Sequence, residues 1–228
     1  MATGDKQTIN DLLPLAEKQI EIAKKQFNGN AIEDCDRLGW CFLDWSLELN
    51  KQAGAQAVYI YAEKSLVKLL KELQKDTLVY EQDIALKSVK AIEKFYDKAQ
   101  GLFVSGKQRQ ISYATNVWYV LAEVFGQKEN AFILERLKTC ENVVKPVTPY
   151  MMHHYVQALI NSGNACEGRK VMCDYWGGMA EHGADTFWEL YNPENPDESP
   201  YGGKAVNSYC HAWSCTPSYF LRKYFAEV

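Results

Sequence analysis

The sequence has no surplus of positive charge. Its net charge is −4 over 228 residues, so there is no general basic field to attract nucleic acid. No apolar run reaches the length of a membrane span. The N-terminus, Met1-Ala2-Thr3-Gly4-Asp5-Lys6, leads into an amphipathic stretch, whereas a signal peptide needs an apolar one. Neither a nucleic-acid nor a membrane partner is expected. Cys-x-x-Cys pairs are absent, and the four histidines (His153, His154, His182, His211) do not fall at zinc-ligand spacing beside cysteine. The seven cysteines (Cys35, Cys41, Cys140, Cys166, Cys173, Cys210, Cys215) are odd in number and irregular in spacing. That argues against a disulfide framework and for scattered buried thiols. No metal and no cofactor is expected. Free thiols suit the cytoplasm, but a longer parent chain could be exported, so the compartment stays open.

Apolar residues make up 47% and charged residues 24% of the chain, ordinary for a globular protein able to bury a substantial core. Aromatic content is 13%, with 6 Trp and 14 Tyr. Such richness fits carbohydrate binding and large helical cores alike.

Helical periodicity dominates. Thr8 to Phe27 reads as a helix, stopped by Asn28-Gly29-Asn30, and Ala31 to Leu49 as a loop with a short element dense in Trp and acids. Ala53 to Leu73 and Asp76 to Phe95 follow as helices, the latter with Leu78, Ile84, Val89 and Ile92 facing inward. Residues 97–110 read as a loop with room for a short extended piece. Ser112 caps a helix that Gly126 closes, and Glu129 to Thr139 is the next. Thr148-Pro149 opens another, with Thr as cap and Pro at the first position. Ala165 to Glu181 and Ser214 to Phe225 complete the set. Helices joined by short turns, with no strand ladder and no exact repeat, make an all-α chain of helical hairpins, either toroid or solenoid.

The chemistry-bearing residues gather late in the chain. Trp188-Glu189 and His211-Ala212-Trp213 stand about twenty residues apart, separated by the Pro/Gly-rich stretch Tyr191 to Lys204. Proline and glycine keep that stretch from being a continuous helix, so a compact loop can fold the two clusters together. Aromatic faces offer sugar rings an apolar platform and a nearby carboxylate can polarise a water. The competing reading makes Trp188 and Trp213 core and Glu189 a solvated charge. His153-His154 diverge by about 100° on a helix and cannot share one ligand face, so they are assigned to packing and surface.

Three runs in order decide between the readings. Trp176-Gly177-Gly178-Met179, then Gly183-Ala184-Asp185-Thr186-Phe187-Trp188-Glu189, then Ser208-Tyr209-Cys210-His211 resemble the W-G-x-M, G-A-T-T-x-W-E and S-x-x-H runs of α-L-rhamnosidases of glycoside hydrolase family 78. Asp185 departs from the family's usual Thr. The resemblance is close over 148–225 and looser over 38–70. It implies an inverting glycosidase on an (α/α)6 toroid, with Glu189 as the general base, His211 contacting sugar hydroxyls, and Trp188 and Trp213 forming the pocket wall. Inverting chemistry sets two carboxylates about 6.5–9.5 Å apart, one for the leaving oxygen and one for water. Asp34-Cys35 and Arg37-Leu38-Gly39-Trp40 echo the ends of the family's acid-bearing D-C-P-x-R-x-E-R-x-G-W run, but its interior is absent. Phe42-Leu43-Asp44-Trp45 fits a later aromatic-x-D-W run without gaps and is preferred. On that alignment Asp44 and Trp45 line the sugar pocket and the general acid is missing; on the rival reading Trp45 is core and Asp44 caps an element.

The expectation is thus one domain over 1–228, an incomplete (α/α)6 barrel of about eight helices out of twelve. Its partner is an α-L-rhamnoside or related glycan, and an exposed apolar flank favours self-association. The alternative is a non-catalytic helical-hairpin module that binds glycans or proteins.

Overall fold

The structure is a computed structural model that describes residues 4–33 and 41–226. Eight α-helices are present among the described residues: α1 (Lys6–Lys24), α2 (Gln52–Glu72), α3 (Leu78–Phe95), α4 (Tyr113–Leu121), α5 (Gln127–Thr139), α6 (Pro149–Asn161), α7 (Ala165–Glu181) and α8 (Thr216–Phe220). Helices α2, α4 and α6 pack side by side as one layer. Each carries the next helix against it, giving the hairpins α2–α3, α4–α5 and α6–α7, while α1 packs on α2. This is an incomplete helical toroid, as expected.

The ends of these helices follow from local chemistry. Thr148 caps α6 by accepting the Met151 N–H at 3.1 Å, with Pro149 in the first turn. Ser112 caps α4, its Oγ accepting from Thr115 N at 3.1 Å. Helix α4 stops at Leu121, short of the expected Phe125, and Gly126 instead precedes α5. The last expected helix is broken: a single tight turn at Ala212–Ser214, then α8, then a wider π-type turn at Leu221–Phe225.

Two small hairpins join the helices. Phe27–Asn28 (β1) pairs antiparallel with Ala31–Ile32 (β2), around Gly29 at φ 62. The Asn-Gly read as a helix stop is therefore also a hairpin turn. Tyr96–Asp97 (β3) pairs with Leu102–Phe103 (β4), the short extended piece anticipated in 97–110. Buried Asn116 on α4 mimics a further strand: its Oδ1 accepts from Phe103 N at 2.8 Å and its Nδ2 donates to Phe103 O at 2.9 Å. Asn116→Ala would orphan both backbone groups, and we expect it to lower unfolding stability by about 2 kcal/mol, readable by urea denaturation.

Two expectations are corrected. The inward stripe of α3 is Asp83, Lys87, Ala91 and Phe95, whereas Leu78 and Val89 are each 57% exposed. The charged pair is buried because other helices supply its partners: Lys87 Nζ lies 2.6 Å and Lys24 of α1 3.0 Å from Asp83, and Tyr59 of α2 donates to it at 3.1 Å. The thiols were expected to be buried, but among the described residues Cys166, Cys173, Cys210 and Cys215 are exposed.

Candidate functional site

The connections that precede α2, α4 and α6 meet at one end of the helical layer. Gln110 accepts from Asn50 N at 2.7 Å and donates to Glu48 O at 2.7 Å. Ser112 bridges to Val144, and Tyr191 N donates to Val147 O at 3.2 Å. Gly54, in the first turn of α2, lets this end close tightly, since a Cβ there would come 2.6 Å from Leu43 Cδ1.

The two late clusters do fold together. Glu189 N donates to Ser208 O and His211 N to Phe187 O, each at 2.8 Å, so 187–189 and 208–211 run as a short backbone-paired ladder. Thr186 Oγ1 donates to Tyr209 O and Ser214 Oγ to Trp188 O. Helix α7 supports the ladder through its Trp-Gly-Gly-Met run. Trp176 Nε1 donates to Ser214 O at 2.9 Å, Met179 Sδ accepts from Trp188 N at 3.3 Å, and Gly178 leaves room for the Tyr191 hydroxyl, which a Cβ would meet at 2.8 Å.

Glu189 sits on this ladder, 6% exposed. Its Oε1 accepts the Tyr201 hydroxyl at 2.6 Å and its Oε2 the Ser208 N–H at 3.2 Å. Trp213 Nε1 donates to the Glu189 carbonyl at 2.9 Å, and the His211 ring lies 4.4 Å from the Trp213 ring. Phe42 stacks on Trp213 at 5.6 Å and 17°, and meets Trp45 edge-on at 5.1 Å. Trp45 in turn meets Tyr201 at 6.0 Å. Trp45, Tyr201, Glu189, Trp213 and His211 are thus one chain of contacts, with Trp188 half-buried beside it. Tyr150 and His154 extend the aromatic wall along α6 to buried Trp118. Burial, followed by the charge of His153, holds His154 down to about 3, so it stays neutral. His153 faces Thr216 at 3.2 Å. Neither histidine reaches a metal site, and no group of three ligating side chains suited to a metal occurs among the described residues.

Asp44 belongs to the same end of the fold but is turned inward, 3% exposed. Its Oδ1 accepts from Trp45 N at 2.9 Å, Thr148 N at 3.1 Å and Thr148 Oγ1 at 2.6 Å, and its Oδ2 from Val147 N at 2.9 Å. Burial raises it to about 6, against the pull of these bonds. Asp44 therefore anchors the strand of chain that carries Phe42 and Trp45 to the start of α6. The acid-bearing candidates from Asp34 to Trp40 lie outside the described residues. Tyr201 and Tyr150 were not singled out from sequence, and Phe42 entered only as the aromatic of the Phe42-Leu43-Asp44-Trp45 run. Tyr201 lay in a loop legible only as a connector, and its one signal is its place between Pro200 and Gly202.

Searches with protein-family models and among curated proteins found no match. Among solved structures, a rhamnosidase from Klebsiella oxytoca with rhamnose bound is 41% identical, with a TM-score of 0.88, over 94% of this chain and 42% of its own. The chain resembles part of a family 78 α-L-rhamnosidase. A family 78 rhamnosidase of Bacillus sp. GL1 is 21% identical, with a TM-score of 0.78, over 96% of this chain and 24% of its own. A family 63 mannosylglycerate hydrolase from Thermus thermophilus in complex with glucose shares the fold at 19% identity, with a TM-score of 0.56, over 75% of this chain and 47% of its own. The chain spans less than half the length of each of these structures. The rhamnosidase-like residues thus lie on a helical fold shared with other glycosidases.

Proposed function

We propose that the chain forms one unit of an α-L-rhamnosidase-like glycoside hydrolase that acts by inversion on terminal α-L-rhamnosides, with Glu189 as general base. The observation that carries this reading is a nearly buried carboxylate fixed by backbone pairing beside a wall of stacked aromatic rings. Trp188, Trp213 and Trp45 offer the sugar an apolar face, and His211 a polar edge. Asp44 serves by holding Trp45, since its oxygens are occupied by protein donors. The 41% identity to a rhamnosidase that binds rhamnose supports the sugar class.

A general acid is not assigned. Proton transfer to the leaving group contributes roughly 10²–10⁴-fold, so the chain alone should bind rhamnose and hydrolyse aryl rhamnosides weakly or not at all. Both Glu189 oxygens are already paired, which favours a non-catalytic glycan-binding module as the second reading. Glu189→Gln, made in a full-length parent enzyme that hydrolyses aryl rhamnosides, separates the two. On the first, it lowers turnover of an aryl rhamnoside about 100-fold or more while L-rhamnose affinity stays within a few-fold. Turnover that survives the substitution removes the base assignment, and absence of any L-rhamnose binding removes the sugar assignment. Exposed Leu12, Leu15 and Ile22 on α1 give self-association an apolar face, measurable by sedimentation.

A further inference from the structure

The loop between the two halves of the site closes over Glu189 at one point. Residues 192–207 bond mainly to themselves: Asn192 Nδ2 donates to Glu198 Oε2 at 2.6 Å, Asn207 Nδ2 to Glu198 O at 2.9 Å, and Lys204 pairs with Asp197 at 2.8 Å. Away from the site, Lys145 pairs with Glu194. Over the site, the loop reaches Glu189 through the Tyr201 hydroxyl and Trp45 through the Tyr201 ring edge. Tyr201 is itself 48% exposed and is followed by Gly202 at φ 88 and Gly203, both in open space. The group that covers a nearly buried carboxylate is therefore a half-exposed side chain on a loop whose other ties to the rest of the fold are Lys145 to Glu194 and the Tyr209 hydroxyl, which donates to Lys204 O at 2.7 Å.

The two Glu189 oxygens are not equivalent. Oε2 accepts the Ser208 N–H, on the strand of chain that the backbone ladder holds against 187–189. Oε1 is held by Tyr201 alone among the described residues. If Glu189 accepts a proton from water, Oε1 is the oxygen that does so, and the Tyr201 hydroxyl stands where that water must be.

We propose that Tyr201 is a latch on Glu189: its hydroxyl occupies Oε1 in the unliganded chain and leaves when a sugar settles against Trp45. This rests on the reading of Glu189 and Trp45 as parts of a sugar site. Because the same ring touches Trp45 and bonds Glu189, a sugar ring arriving on Trp45 displaces the latch and frees the base together. Water is kept off the carboxylate until then. Tyr201 is a positioning residue, acting through Glu189.

The test is Tyr201→Phe, which removes only the hydroxyl that bonds Glu189 and keeps the ring. Hydrogen–deuterium exchange of peptides covering 196–207 reads the latch without any ligand, and L-rhamnose titration followed by tryptophan fluorescence reads its competition with sugar. We expect the substitution to speed exchange of this loop several-fold and to tighten L-rhamnose binding about 3- to 10-fold, because the closed state no longer competes. Unchanged exchange overturns the latch. Faster exchange with weaker rhamnose binding also overturns it, making Tyr201 a sugar contact. Faster exchange with no rhamnose binding in either protein leaves the latch standing and removes the rhamnoside reading.

Discussion

Replacing Asp44 with alanine is expected to destabilise the chain by on the order of 3–5 kcal/mol, the larger of its single-site effects at neutral pH. Four protein donors converge on this buried carboxylate, three of them backbone N–H groups: Trp45, Val147 and Thr148. Two of those, Val147 and the capping Thr148, immediately precede α6, where a negative charge is favoured by the helix dipole. Alanine leaves all four donors inside the protein with nothing to bond. Asp44→Asn retains one acceptor oxygen but turns an NH2 toward a donor, so an intermediate loss is expected. Urea denaturation measures both. A loss below about 1 kcal/mol for Asp44→Ala would mean that 41–50 is held in place by its aromatic contacts and its bonds to Gln110.

The second large effect is a dependence of stability on pH through Glu63. Burial, followed by the charge of Asp83, pushes this carboxyl up to about 8, with Lys87 and Lys24 pulling the other way. The surrounding groups come from three helices: Lys24 on α1, Tyr59 on α2, and Asp83 and Lys87 on α3. One Glu63 oxygen is buried with no hydrogen-bond partner among the described residues. With an unfolded value near 4.5 and a folded value about 8, the folded chain keeps a proton that the unfolded chain releases between these limits. The stability this contributes is complete below about pH 4.5, declines as pH rises and is gone above about pH 8. The slope is about 1.4 kcal/mol per pH unit and the total on the order of 3–5 kcal/mol. Glu63→Gln should flatten this limb and leave the chain more stable than wild type at pH 9. Asp83 works in the opposite direction and at lower pH. Burial raises it, but bonds from Lys87 and Lys24 hold it below the usual range, so its contribution is lost only in acid. A pH profile unchanged by Glu63→Gln would rule out the assignment.

The parts of the fold that were legible in sequence are those governed by local chemistry. Thr148-Pro149 set the start of α6 and Asn164 that of α7, where its side chain accepts from Glu167 N. The face of α3 was not legible, because Asp83 and Lys87 become inward residues only when Lys24 and Tyr59 arrive from other helices. Periodicity in one segment carries no record of partners in another. The meeting of 187–189 with 208–211 could be anticipated, since a Pro/Gly-rich stretch with a motif at each end has few compact solutions. The direction of Asp44 could not. Its partners Val147 and Thr148 are more than a hundred residues away, and an Asp beside a Trp fits an anchor as well as a sugar contact. Tyr201 was hidden for a related reason, because its role depends on where a loop without regular structure comes down.

The ladder joining 187–189 to 208–211 also bears on how this region tolerates change. Its alignment is written in main-chain bonds and in the Trp-Gly-Gly-Met surface beneath, while Asp185 and Cys210 are exposed. Substitution at those exposed positions is expected to leave Glu189 and His211 where they are. The polypeptide works here as a jig: the exchangeable parts face solvent, and the measured ones are clamped by the backbone.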